Sequence, residues 1–328
     1  MIAKLLIMIS TSALIYGVIA LGLIVSQPAS ELPERDGLDF SKAMLNRFEA
    51  PLDDAFSRAH FTARDGVELP FTHVKAEGAA DKPLVIMLHG SGWFGGQFDA
   101  LAWALRDVAE IKALTLRGHG AAPQERGDLG YLGQFEDDIA DLIGKEVRPV
   151  ILLGHSSGGG LAVRFAGGAY GDTLAGTILL APYLAHNAPT TRQNSGGWAF
   201  PLTRRIIGLS MLNTVGIRAL DGLTAIQFNM PKAVLEGPMG GYATTAYSWR
   251  LNSSYAPRAD YLADVAKLPK FLLVAGREDE AFDAEGYAPL MSAVTGKGRY
   301  EVVDGAAHLD IVDHARTEAL IREYLSAF

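Results

Sequence analysis

The chain has 328 residues, is 49% hydrophobic, and contains no cysteine; its formal net charge is −8. That length and apolar content suffice for a large α/β core with an insertion. The negative balance and lack of any basic run argue against a nucleic-acid partner, and without cysteine there is no disulfide framework, thiol nucleophile or thiolate metal site.

From Leu5 to Val25 no residue is charged. As a helix this run reaches about 30 Å, one hydrocarbon core. Lys4 precedes it, while Glu31, Glu34 and Asp36 follow with Arg35 the only nearby base. That asymmetry places the N-terminus in the cytoplasm and the remainder on the extracytoplasmic side. The rival reading is a cleaved signal sequence, and the protein is then secreted. The apolar run is long for that, and Ser26-Gln27-Pro28-Ala29-Ser30 is a poor cleavage site. Residues 1–28 are thus read as anchor or signal, and 29–58 as a polar tether with an amphipathic helix from Phe40 to Phe48.

A hairpin follows, with Asp65-Gly66 as its turn. Leu84–Leu88 is wholly apolar, as in a strand buried on both faces, and leads into His89-Gly90-Ser91-Gly92-Trp93. A helix is expected near Gln97–Val108, then a strand over Ile111–Leu116 ending in Arg117-Gly118-His119-Gly120, then a helix over Phe135–Ile143. Val150–Leu153 is another apolar strand. It runs into Gly154-His155-Ser156-Ser157-Gly158-Gly159-Gly160 and an apolar helical pattern from Leu161. Strand, sharp turn, helix, with serine at the apex, is a nucleophile elbow; residues two positions either side must be small. Strands are also expected at Thr177–Ala181, Phe271–Ala275 and Tyr300–Val303. Apolar strands alternating with helices predict a mostly parallel sheet covered on both faces. Residues 183–265 break the rhythm with repeated Pro and Gly, yet carry Trp198, Phe200, Phe228, Tyr242, Tyr247 and Trp249. They are read as a folded helical cap, leaving 59–182 and 266–328 as the core.

A serine hydroxyl needs a base and a group to orient that base. His308 stands just past the final strand and Asp279 just past the one before it. Serine, acid, histidine is the chain order of the α/β-hydrolase scaffold. Rivals remain: Ser157 as nucleophile, Glu278, Glu280 or Asp283 as acid, His314 as base. His89, His119 and His155 read as structural supports for loops near the site. No metal-ligand cluster and no dinucleotide fingerprint stands out, so no cofactor or metal is expected.

Leu88–Gly92, Leu116–Gly120, Gly154–Gly158, Gly276-Arg277-Glu278-Asp279 and Gly305–His308 together give residues 60–328 a resemblance to the α/β-hydrolase fold superfamily. The resemblance is to its capped members: lysophospholipase-like and monoacylglycerol-lipase-like esterases and the serine aminopeptidases (S33). One departure is Thr115, where members often carry Asp. The resemblance implies a mostly parallel sheet flanked by helices, an inserted cap, and a Ser156-His308-Asp279 triad. It also implies an oxyanion hole from the backbone N–H of Ser157 and of Ser91 or Gly92. The expected activity is hydrolysis of carboxylic esters, lipid-like or small, through an acyl-enzyme. The alternatives are an aminopeptidase or amidase, with Glu236 or Asp221 as weak candidates to hold a substrate amine, and a non-catalytic membrane-bound binding protein. Cap aromatics either line an apolar substrate pocket or form the cap's own core. Arg192, Arg204 and Arg205 are either solvated or anion-binding. The substrate, oligomeric state and regulation are not legible in the sequence.

Overall fold

In a computed structural model, residues 2–32, 37–41, 49, 51, 53–78 and 81–328 are described. The expected helix from Phe40 to Phe48 lies mostly outside them. The apolar runs form the centre of an eight-stranded sheet. Its strands are β1 (Phe56–Thr62), β2 (Glu68–Val74), β3 (Leu84–Leu88), β4 (Glu110–Leu114), β5 (Val150–His155), β6 (Gly176–Leu180), β10 (Lys270–Gly276) and β11 (Gly298–Val303). They lie in the order β1-β2-β4-β3-β5-β6-β10-β11. Only the β1–β2 and β2–β4 pairings are antiparallel. β1 alternates between covered and open positions, as an edge hairpin should, and Gly66 at φ +85° closes its turn.

Every residue of β3, β5 and β6 is buried. Successive side chains therefore feed two cores. Leu84, Ile86, Leu88 and Leu152 face Phe135 and Ile139 of α3 (Gln134–Ile143) and Leu161 and Phe165 of α4 (Ser157–Gly167). Val85, Met87, Ile151 and Leu153 face Leu101 of α2 (Asp99–Ala104) and Leu320 and Ile321 of α10 (Ala315–Leu325). Each buried branched aliphatic contributes about 1.5–3 kcal/mol. A slip of one residue would exchange the cores, so the register of Leu88 beside Gly154 is firmly specified. That register places the loops after β3 and β5 side by side.

Between β6 and β10 the sequence predicts a helical cap, and the structure there mixes helices with strands. Strands β7 (Ala199–Pro201), β8 (Thr224–Phe228) and β9 (Ala246–Ser248) form a small antiparallel sheet. They are accompanied by helices α5 (Thr203–Thr214), α6 (Lys232–Leu235), α7 (Trp249–Tyr255) and α8 (Tyr261–Lys267). The strands are three to five residues long. A period-2 pattern that short, interrupted by Pro and Gly, is hard to see in sequence. One further helix, α9 (Tyr287–Ser292), joins β10 to β11.

Helix α1 (Ile2–Val25) is long and apolar enough to cross a membrane, with mean hydropathy 2.2, and most of its side chains are exposed. Its C-terminal end is not free. Ala20 and Ile24 are buried against Leu209 and Leu212 of α5. The approach is close because Gly208 has no side chain; a Cβ there would sit 2.5 Å from the Ala20 carbonyl oxygen. The Tyr16 hydroxyl donates to the Met211 carbonyl at 2.9 Å. Leu38 and Phe40, in the segment expected to be a polar tether, are buried in the core as well.

Candidate active site

Ser156 caps α4 with φ 55° and ψ −121°, a strained conformation for a residue with a side chain. Its N–H donates to the Leu180 carbonyl, and its own carbonyl accepts from Gly160 and Tyr183. These bonds hold the strained turn. The glycines around it are steric necessities. A Cβ on Gly154 would meet the Gly158 carbonyl oxygen at 2.2 Å, and one on Gly158 would meet the Leu88 carbonyl oxygen at 2.1 Å.

The loops after β10 and β11 bring Asp279 and His308 to this elbow. His308 Nε2 lies 3.0 Å from Ser156 Oγ, although the residues are 152 positions apart. His308 Nδ1 lies 2.8 Å from Asp279 Oδ2. The other Asp279 oxygen accepts from the Ala281 and Phe282 N–H groups at 2.7 and 2.8 Å. Burial pushes the Asp279 carboxyl up, but the His308 ring and these two amides outweigh it, and the carboxyl titrates below its ordinary range. A buried carboxylate, an imidazole and a serine oxygen thus stand in line.

The rivals fall elsewhere. Glu280 takes the backbone N–H of His308 at 2.9 Å and does not meet the ring. His314 caps α10, accepting from the Arg316 N–H. The Ser157 hydroxyl is 2.5 Å from that of Ser91 and makes no bond to an imidazole.

Three other histidines brace the loops, as the sequence reading expects. His155 Nε2 donates to the His308 carbonyl at 2.9 Å, and its Nδ1 accepts from Gln97. His89 Nδ1 lies 2.8 Å from the Gly90 carbonyl, and its Nε2 accepts the Leu116 N–H. His119 Nδ1 donates to the Arg117 carbonyl at 2.9 Å. Burial lowers His155 to about 3 and His119 to about 4, and puts His89 well below its ordinary value. All three are therefore neutral near pH 7. In the unfolded chain they take protons near pH 6.5. Below that value the unfolded state binds more protons than the folded one, so stability present at neutral pH is lost as the pH falls. Each group costs up to about 1.4 kcal/mol per pH unit. Thermal unfolding between pH 7 and pH 5 is expected to show a steadily falling midpoint; a constant midpoint would contradict the neutral buried imidazoles.

The oxyanion positions need a correction. Gly90 N–H is given to Gln97 Oε1 at 3.2 Å, and Gly92 N–H to the Tyr247 hydroxyl at 2.6 Å. Gly92, one of the two donors expected from the loop, is thus already committed to the cap. Among the described residues the Ser91 N–H has no acceptor. Ser157 N–H is the first of α4, where no intrahelical partner exists.

A cavity of about 840 Å³ opens over Ser156 and His308. Its wall includes Phe40, Trp93, Phe94, Trp198, Met239 and Tyr242. The cap aromatics are therefore divided. Trp198 and Tyr242 face the cavity, Tyr247 packs in the main core, and Trp249 packs under α5. Of the three arginines, Arg192 and Arg204 are exposed, as the solvated reading expects, and Arg205 is half-buried; each also donates to backbone carbonyls. Arg192 donates to the Asp279 and Phe282 carbonyls, Arg204 to that of Ser26, and Arg205 to that of Thr224. Nothing in the sequence marks Tyr247 or Gln97 as part of the site. Their partners Gly92 and His155 are 155 and 58 positions away, and no local pattern announces such pairs.

Residues 85–321 match the alpha/beta hydrolase family, and the chain belongs to that family. Rat (Rattus norvegicus) monoglyceride lipase is 24% identical over 264 residues, covering 76% of this chain and 82% of the lipase. Mouse (Mus musculus) protein phosphatase methylesterase 1 is 29% identical over 115 residues, 32% of this chain, and the match spans only 28% of the methylesterase. Among solved structures, the chain is similar to a soluble variant of monoglyceride lipase from Saccharomyces cerevisiae, with TM-score 0.62 and 16% identity over 84% of this chain and 96% of that one. It is also similar to a bacterial membrane phospholipase A, with TM-score 0.58 and 15% identity over 99% of this chain and 97% of that one. The likeness to these two solved structures is one of fold.

Proposed function

We propose that the protein is a membrane-anchored serine hydrolase that cleaves carboxylic esters with an apolar acyl chain, of the monoacylglycerol or lysophospholipid kind. The observation that carries this reading is the in-line Ser156, His308 and Asp279 at the floor of an aromatic-walled cavity. His308 takes the Ser156 proton as Oγ attacks the ester carbonyl. The tetrahedral oxyanion rests on the N–H groups of Ser157 and Ser91, each such donor lowering the barrier by about 3–4 kcal/mol. His308 then protonates the departing alcohol, and water repeats the sequence on the acyl-enzyme. Asp279 holds the proton on His308 Nδ1 and stabilises the imidazolium.

The aminopeptidase reading finds no such support. Neither Glu236 nor Asp221 lines the cavity, and Asp221 accepts from the Asn213 amide. For localisation, the exposed apolar α1, with Lys4 in its first turn and acids after it, supports an uncleaved anchor with the catalytic domain on the extracytoplasmic side.

A chain-length series of p-nitrophenyl esters, run beside aminoacyl anilides on membranes washed with alkaline carbonate, tests both parts. Ester turnover is expected in the washed pellet and should fall on the order of 10⁶-fold in Ser156→Ala. Anilide turnover without ester turnover would overturn the substrate class. Failure of a fluorophosphonate to label the wild type would remove catalysis altogether. Release of a shortened, active chain by the wash would overturn the anchor.

A further inference from the structure

Gly92 carries the inference, since both polar groups of its backbone are bonded to the cap. Its carbonyl accepts the Thr244 N–H at 2.9 Å, and its N–H donates to the Tyr247 hydroxyl. The direction of the tyrosine's own bond follows from chemistry. The Arg117 carbonyl can only accept, so His119 carries its proton on Nδ1. Its Nε2 is therefore a bare lone pair, 2.7 Å from the Tyr247 oxygen. The hydroxyl hydrogen goes to Nε2, and the oxygen keeps lone pairs for Gly92. Tyr247 is 2% exposed and His119 is 3% exposed, so water does not compete for these bonds. In the same loop the Ser91 side chain also bonds the Tyr247 hydroxyl, and its own hydroxyl is held 2.5 Å from that of Ser157, at the start of α4.

We propose that Tyr247 is a positioning residue for ester hydrolysis: by clamping Gly92 from the cap, it fixes the loop so that the Ser91 N–H, and not that of Gly92, completes the oxyanion hole. This deepens the ester-hydrolase reading and rests on it. The cap is then part of the catalytic apparatus. A cap displaced from the sheet takes Tyr247 and Thr244 with it, and the loop between His89 and Trp93 loses the bonds that aim Ser91. Gly92 sits at φ +75°, a conformation that a free glycine leaves readily. A burial of Tyr247 for packing alone would place no demand on its hydroxyl.

Tyr247→Phe separates the two roles, because the ring keeps its edge-to-face contacts with His119 at 5.1 Å and Phe228 at 4.7 Å and only the hydroxyl goes. The expected result is a 10- to 100-fold lower kcat on a p-nitrophenyl ester, with KM within threefold of wild type. Fluorophosphonate labelling of Ser156 should still reach completion, but more slowly. A kcat within twofold of wild type overturns the clamp. So does a loss confined to KM, which would make Tyr247 a substrate contact. Should Tyr247→Phe fail to fold, His119→Phe decides the matter: it leaves the tyrosine without its acceptor, and kcat should fall by a smaller factor of 3 to 10 at unchanged KM. An unchanged kcat there overturns the clamp. A wild type that neither hydrolyses esters nor takes the label would remove the hydrolase reading itself, whereas an active wild type with an equally active variant removes the clamp alone.

Discussion

Asp279→Asn is expected to lower kcat by about four orders of magnitude while the protein stays folded. The reason lies in how the carboxylate is held. One oxygen accepts two backbone N–H groups, from Ala281 and Phe282. Only an oxygen can do that, so the asparagine's carbonyl must take this place. Its NH₂ then faces His308 Nδ1, which Asp279 Oδ2 approaches at 2.8 Å. An N–H opposite Nδ1 makes that nitrogen an acceptor and moves the ring proton to Nε2. Nε2 is the atom 3.0 Å from Ser156 Oγ. A protonated Nε2 cannot take the serine's proton, so the nucleophile is not activated. Flipping the amide would restore the tautomer but leave two buried N–H groups without an acceptor, at about 1–3 kcal/mol each. The kcat and KM of Asp279→Asn check this, with Glu280→Gln as comparator. Glu280 accepts backbone N–H groups, those of His308 and Asp39, and does not meet the ring, so its variant should lose far less. A loss under 100-fold in Asp279→Asn, or a larger loss in Glu280→Gln, would move the orienting role from Asp279 to Glu280.

Much of this arrangement can be read from the chain, and the reason is local. Wholly apolar runs such as Leu84–Leu88 and Val150–Leu153 carry their burial on their face, and both are strands within a residue or two of where the pattern puts them. The elbow is legible because Gly154 must clear Gly158 four positions on, within one short motif, although Gly158 itself must clear the Leu88 carbonyl, 70 positions back. Ser156, Asp279 and His308 are legible through their order along the scaffold. What escapes is non-local. Nothing beside Gly92 signals that a tyrosine 155 positions away will take its N–H. Nothing in Leu38 or Phe40 says that a segment expected to be a tether will be buried with Trp93 and Trp198. The docking of α1 on α5 is of the same kind. Gly208 reads as an ordinary helix glycine until the Ala20 backbone is seen to pass over it.

Gly158→Ala is expected to damage both the stability and the activity of the protein. The added carbon would stand 2.1 Å from the Leu88 carbonyl oxygen and 2.5 Å from that of His89. Both are backbone atoms at the end of β3, which pairs with β4 on one side and β5 on the other. No side chain can rotate away to make room. Either α4 lifts from the sheet, taking Ser157 with it, or the end of β3 moves and carries the Ser91 loop. Overpacking of a core commonly costs 1–3 kcal/mol. With the strain placed on two paired backbones, roughly 3 kcal/mol or more is expected. Folded protein that does accumulate should also have lost most ester turnover, since Ser157 and Ser91 can no longer both face one oxygen. Gly159→Ala offers the internal comparison, because its contacts are looser, Pro182 Cβ at 2.8 Å, Pro182 Cα at 3.0 Å and the Gly154 carbonyl oxygen at 3.1 Å. Urea unfolding of the two variants should rank Gly158→Ala as clearly the less stable. A midpoint for Gly158→Ala equal to wild type would mean that the elbow is not packed against β3 as described, and the placement of the nucleophile would fall with it.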